Sequence, residues 1–146
     1  MSKKKRSKTH PKTSFNRRVG LAAVGPEAVF GLLRWLSEYP DSRVPIRLPG
    51  WDTDILVGRS VRTSVIMRDR CTCVRCGLMA THAWVERAPG QEECHIGIYG
   101  VYPDTGEEAL LTHDHVIPKS LGGKDGMTNG ACLCYSCNQR KGARVE

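Results

Sequence analysis

The sequence predicts an α+β domain on three observations: an amphipathic helical stretch near the start, alternating segments in the second half, and two closely spaced cysteine pairs. The helical stretch begins at Pro26, a residue suited to the first helical position, and Ala28, Val29, Leu32, Leu33 and Leu36 recur at helical spacing before Pro40. Residues 45–58 are rich in turn formers and read as a surface loop. Residues 59–70 fit either period, Val61 and Val65 a helix, Val61, Thr63, Val65 and Met67 a strand; a helix is preferred. Two alternating segments, 82–86 and 94–99, flank Pro89-Gly90 and read as a hairpin. A third strand is expected over 109–116, after a turn at 104–106, and the last ten residues or so suffice for a short helix.

The chain of 146 residues suits one compact domain with an appendage. Its net charge of +7 is uneven, because Lys3, Lys4, Lys5, Arg6, Lys8, Lys12, Arg17 and Arg18 fall in the first 18 residues with no acidic residue among them. Residues 1–20 therefore read as a flexible basic arm, residues 21–67 as a small helical segment and residues 68–146 as the main module. A dense positive arm on a nearly neutral body points to a polyanion such as DNA, since neutralised phosphates release counterions. No apolar run is long enough to cross a bilayer, and the charged start lacks the apolar stretch of a signal peptide, so a cytoplasmic protein with no membrane partner is expected.

Seven cysteines in such a chain argue for thiolates holding metal. Cys73 and Cys76, then Cys134 and Cys137, are each separated by two residues, a spacer that lets one tight turn deliver two sulfurs to one ion. Four thiolates satisfy tetrahedral zinc. The 57 residues between the pairs exceed the spacing of a simple finger, so a further structure sits between the knuckles. Cys71 is an alternative to Cys73; Cys71, Cys94 and Cys132 otherwise read as buried or free thiols.

Between the pairs runs Thr112-His113-Asp114-His115-Val116-Ile117-Pro118, followed by Gly122-Gly123. A carboxylate beside imidazoles can hold a hard cation and deprotonate water, and an imidazole titrating near neutrality suits a base. Asn129, the second cysteine pair, Asn138, Lys141 and Gly142 follow in order. Over residues 68–144 this pattern resembles the HNH endonuclease family: a cysteine pair, a strand with Asp-His and a following Pro, a central Asn, then a cysteine pair running into Asn or His and Lys-Gly.

The resemblance implies a ββα-metal, treble-clef-like fold stapled by a four-cysteine zinc site, and a motif that here reads His-Asn-Asn. It implies His115 as general base, Asp114 as ligand of a catalytic Mg²⁺ or Mn²⁺, Asn129 as the residue orienting the histidine, and Asn138 as second ligand of that ion. Lys119, Arg140, Lys141 and Arg144 are expected to contact phosphates, Lys141 foremost among them. His113 stands as a third ligand, a phosphate contact or a bystander, the last being preferred. The long stretch before Leu111 reads as an elaborated hairpin touching DNA through Trp84, Arg87 or Tyr99. The activity so implied is nicking or double-strand cleavage of DNA, the latter requiring a homodimer or two events. The alternative is a catalytically inactive zinc-dependent DNA-binding module; a zinc-ribbon interaction module explains neither Asp114-His115 nor the arm. The size and the arm suit a bacterial or bacteriophage nuclease.

Overall fold

The computed structural model describes residues 16–144. Seven strands form one sheet: β1 (Arg17–Val24), β2 (Arg43–Ile46), β3 (Ile55–Gly58), β4 (His82–Arg87), β5 (Cys94–Val101), β6 (Glu108–His115) and β7 (Gly130–Cys134). Three helices accompany them, α1 (Pro26–Glu38), α2 (Val61–Arg68) and α3 (Tyr135–Lys141). The spatial order is β1-β4-β5-β3-β2, with β6 pairing both β5 and β7. None of the helices is long and apolar enough to cross a membrane.

Helix α1 lies where the helical spacing put it, with Pro26 in its first turn and Val29, Leu33 and Leu36 fully buried. Helix α2 resolves the ambiguous stretch, burying Thr63, Val65 and Ile66. The expected hairpin is β4–β5, paired antiparallel from His82↔Tyr99 to Arg87↔Cys94.

Two expectations fail in the N-terminal part. The stretch read as a loop contains the antiparallel hairpin β2–β3, with Val44, Ile46 and Val57 buried. Pro45 concealed β2, and the sheet accommodates it because β2 is the terminal strand, where a missing N–H breaks no ladder. The boundary drawn at residue 20 falls inside β1, which pairs antiparallel with β4 from Arg17↔Arg87 to Val24↔His82. Arg17 and Arg18 are thus sheet residues, and the rest of the basic arm, residues 1–15, lies outside the described residues.

Beside β5 the sheet forks. Strand β3 meets it in parallel at Cys94 and β6 antiparallel at Tyr99 to Val101. Between them the carbonyl of Ile96 is satisfied by Arg62 of α2, at 2.6 Å. The fork lets β6 continue past β5 and pair with β7, so that the C-terminal end of β6 is free to carry a site.

One face of β1, β4 and β5 carries a buried polar network. Glu86 is 1% exposed, accepting the Tyr99 hydroxyl at 2.6 Å with His95 Nε2 at 3.4 Å, and a Cβ at Gly97 would collide with its carboxylate. Arg18 lies over the rings of Trp84 at 4.4 Å and Tyr99 at 5.0 Å, and Glu108 accepts His82 Nε2 at 2.6 Å and Trp84 Nε1 at 3.0 Å. Tyr99, expected as a DNA contact, is therefore a buried donor, and Trp84 a half-buried one. Burial disfavours the Glu86 anion, but the bonds from His95 and Tyr99 outweigh it and hold its pKa below the ordinary carboxylate range. A carboxyl whose folded pKa is depressed contributes stability above its unfolded pKa and loses it as pH falls through the folded value. Glu86→Gln should thus flatten the acid side of a plot of melting temperature against pH; a slope equal to the native one would remove Glu86 from the acid response.

Candidate active site

The first cysteine pair sits in a turn that follows α2. Arg70 and Cys71 adopt positive φ, 61° and 55°, and Gly77 closes the turn at φ 82°. Val74 N–H donates to Cys132 O at 2.9 Å, which ties this turn to β7. Cys134 ends β7 and caps α3, and Cys137 lies in the first turn of α3. The sulfurs of Cys73, Cys76, Cys134 and Cys137 all lie within 4.8 Å of one another, a group that could hold a metal ion and that supports a structural zinc. Among the described residues no other group of three or more His, Cys, Asp or Glu side chains has this property. The choice between Cys71 and Cys73 falls to Cys73; Cys71, Cys94 and Cys132 are buried elsewhere in the core. Hydrogen bonding to Cys134 pushes the Cys73 thiol down to about 4, and the same contact with Cys73 pushes the Cys134 thiol up.

Strand β6 separates the residues of the His-Asp-His segment onto two faces. Asp114, 9% exposed, turns toward α3, where Lys141 Nζ lies 3.0 Å from its carboxylate. Asn138 Nδ2 donates to Thr112 Oγ1 on the same side at 2.9 Å. His113 and His115 occupy the other side, their rings stacked 5.1 Å apart at 24°. Gly130 makes room for His113: a Cβ there would lie 2.6 Å from His113 Nε2 and 2.9 Å from Val65 of α2. Burial, then the neighbouring His115, lowers the His113 pKa, and the ring lies as a floor under His115.

The loop joining β6 to β7 is cross-braced by Asn129. Its amide oxygen accepts Ile117 N–H at 2.8 Å, and its amide nitrogen donates to Ile117 O at 3.0 Å and Lys124 O at 2.8 Å. The Gly-Gly pair has two separate reasons. Gly122 adopts φ 93°, which L side chains rarely enter, and a Cβ at Gly123 would collide with the Ile117 carbonyl. Asn129 touches the loop backbone and not the imidazole of His115. The side chain that meets that imidazole is Asp125, Oδ1 to Nε2 at 2.8 Å, with Lys119 Nζ 3.4 Å from its other oxygen. These two partners, His115 first, hold the Asp125 carboxyl below its ordinary range. Nothing in the local sequence marked Asp125, because its role arises from loop closure.

One expectation about the basic residues needs correction. Lys141 is 5% exposed, and besides Asp114 it donates to His115 O at 3.1 Å, so it braces the end of β6 from within and cannot serve as a surface phosphate contact. A buried pair that loses one partner leaves an uncompensated charge, at about 3–5 kcal/mol. Lys141→Met should therefore lower the urea midpoint sharply, and adding Asp114→Asn should recover part of the loss; an unshifted midpoint in the single variant would show the pair to be solvated. Lys119 remains exposed, Arg140 reaches Cys137 Sγ at 3.1 Å, and Arg144 bonds the carbonyl of Lys141 at 2.9 Å.

A strand, a braced loop, a second strand and a helix, with a cysteine pair at the strand–helix junction, make a ββα module completed by a metal knuckle from upstream. Residues 104–146 match the family model described as HNH endonuclease. No curated protein and no solved structure matches the chain. Cys73 and Cys76 lie before the matched segment, and the fold brings them to it.

Proposed function

We propose that the protein is an endonuclease that hydrolyses DNA phosphodiester bonds with His115 as general base. The observation that carries this reading is the setting of His115. Within the segment that matches the HNH endonuclease model, its side chain is 26% exposed, its ring rests on His113, and one ring nitrogen is held by Asp125. A ring held in place yet open to solvent can accept a proton from water attacking a phosphate.

The donor chemistry on the other face of β6 suits a hard divalent cation: Asp114 would supply a carboxylate and Asn138 an amide oxygen, once Lys141 gives way. Mg²⁺ or Mn²⁺ bound there would stabilise developing charge on the phosphate and its leaving oxygen. Asn129 acts through the loop, fixing the backbone from Ile117 to Lys124 and thereby the carboxylate that meets His115. Zinc held by Cys73, Cys76, Cys134 and Cys137 is structural. Lys119, Arg140 and Arg144 are candidates for phosphate contacts, and a homodimer is one route to cutting both strands.

The second reading is a zinc-dependent DNA-binding module without cleavage. The Lys141 ammonium against Asp114 favours it, because that carboxylate is already neutralised. A supercoiled-plasmid assay separates the two: the native chain should convert plasmid to the nicked form with Mg²⁺ or Mn²⁺. Plasmid left intact with every divalent ion tried, despite retained DNA binding, would establish the second reading.

A further inference from the structure

The carboxylate of Asp125 is mostly exposed, yet it is not loosely placed. His115 and Asp125 are ten residues apart in the chain, and the loop between them is closed by the Asn129 braces and by Gly123 N–H to Pro118 O at 3.0 Å. Lys119, on the short 3-10 turn Lys119–Leu121, holds the second oxygen of Asp125. His113 supports the opposite side of the arrangement by stacking on the ring. His115 therefore has a fixed plane and one committed nitrogen.

A neutral imidazole carries a proton on one nitrogen and a lone pair on the other. An ionised carboxylate only accepts, so the ring nitrogen facing Asp125 Oδ1 carries the proton, and that nitrogen is Nε2. The lone pair is then on Nδ1. A carboxylate that accepts from one ring nitrogen fixes the orientation of an imidazole and sets its tautomer. We propose that Asp125 is a positioning residue for the reaction, holding the proton of His115 on Nε2 so that Nδ1 is the nitrogen that takes the proton of the attacking water. In atoms, the water O–H bond breaks and its proton passes to Nδ1; its oxygen forms the new bond to phosphorus while the P–O ester bond to the leaving sugar oxygen breaks, that oxygen departing with the electron pair and taking a proton from solvent. The proposal rests on His115 as base.

Two measurements on the full zinc-loaded chain test it. Long-range ¹H–¹⁵N spectra of the histidines, recorded without added divalent ion at about pH 8.5, above the ordinary imidazole range, should show His115 as the Nε2–H tautomer in the native protein. Asp125→Ala should show a mixture. Single-turnover nicking at saturating enzyme should fall by about 10–100-fold in Asp125→Ala, the size that loss of a histidine's carboxylate partner has at metal sites, with the melting temperature close to native. Asp125→Asn should recover most of the rate, because its amide oxygen still accepts from Nε2–H. An Nδ1–H tautomer in the native protein overturns the proposal, and so does an Asp125→Ala variant that nicks as fast as the native chain or faster. If the native chain does not nick at all, the endonuclease reading fails, while the tautomer still decides what Asp125 does to His115.

Discussion

His115→Ala is expected to slow plasmid nicking by about 10²–10⁴-fold, the range that a positioned general base supplies. The fold should survive the change. His115 is at the end of β6, partly open to solvent, and its ring makes one stack with His113 and one hydrogen bond to Asp125. Losing a stack of this kind costs about 0.5–1.5 kcal/mol, well within the 5–15 kcal/mol stability of a typical domain. DNA affinity should also hold, since the cations that would meet phosphates, Lys119, Arg140 and Arg144, all remain in the variant. The diagnostic result is thus a collapse in rate with melting temperature and duplex affinity close to native values. A variant that nicks at the native rate would remove His115 from the chemistry.

Cys134→Ser is the second change of large effect, and it acts on the fold. Cys134 is 1% exposed, ends β7, caps α3 and lies with its sulfur 3.8 Å from that of Cys76. It joins the two halves of the knuckle. Apparent binding energies of about 10–16 kcal/mol for structural zinc rival or exceed the stability of an ordinary domain. Removing one thiolate should therefore abolish zinc content and the cooperative melt together, and chelation of the native protein should do the same. Cys94→Ser is the control, because Cys94 is buried in β5 outside the cluster, and it should retain a full complement of zinc. A cooperative Cys134→Ser melt with no bound metal would show that the apolar core suffices alone.

Much of the C-terminal module was legible because its signals are local. The two-residue cysteine spacers, the strand ending in Asp-His, the Gly-Gly pair and the short final helix each depend on neighbours a few residues apart. The N-terminal part was harder to read. Strand β1 shows itself only through pairing with β4, about sixty to seventy residues away, and its arginines look like an arm until Arg18 is seen over Trp84 and Tyr99. The hairpin β2–β3 was hidden by Pro45, which a terminal strand tolerates.

By itself the sequence marked the residues on which the proposed chemistry rests: four cysteines spaced for a metal, and Asp114, His115, Asn129 and Asn138 in an order that resembles the HNH family. Only the tertiary structure decided what each of them faces. Alternation along β6 sends Asp114 to α3 and His115 to the loop, and packing of α3 buries Lys141 against Asp114, although its charge had suggested a surface contact. Closure of the loop brings Asp125 to His115, and the turn after α2 selects Cys73 over Cys71. Spacing encodes which groups one turn or one strand can present, whereas partners across a loop or between elements are set by how the chain closes on itself, a property that no short stretch of sequence contains.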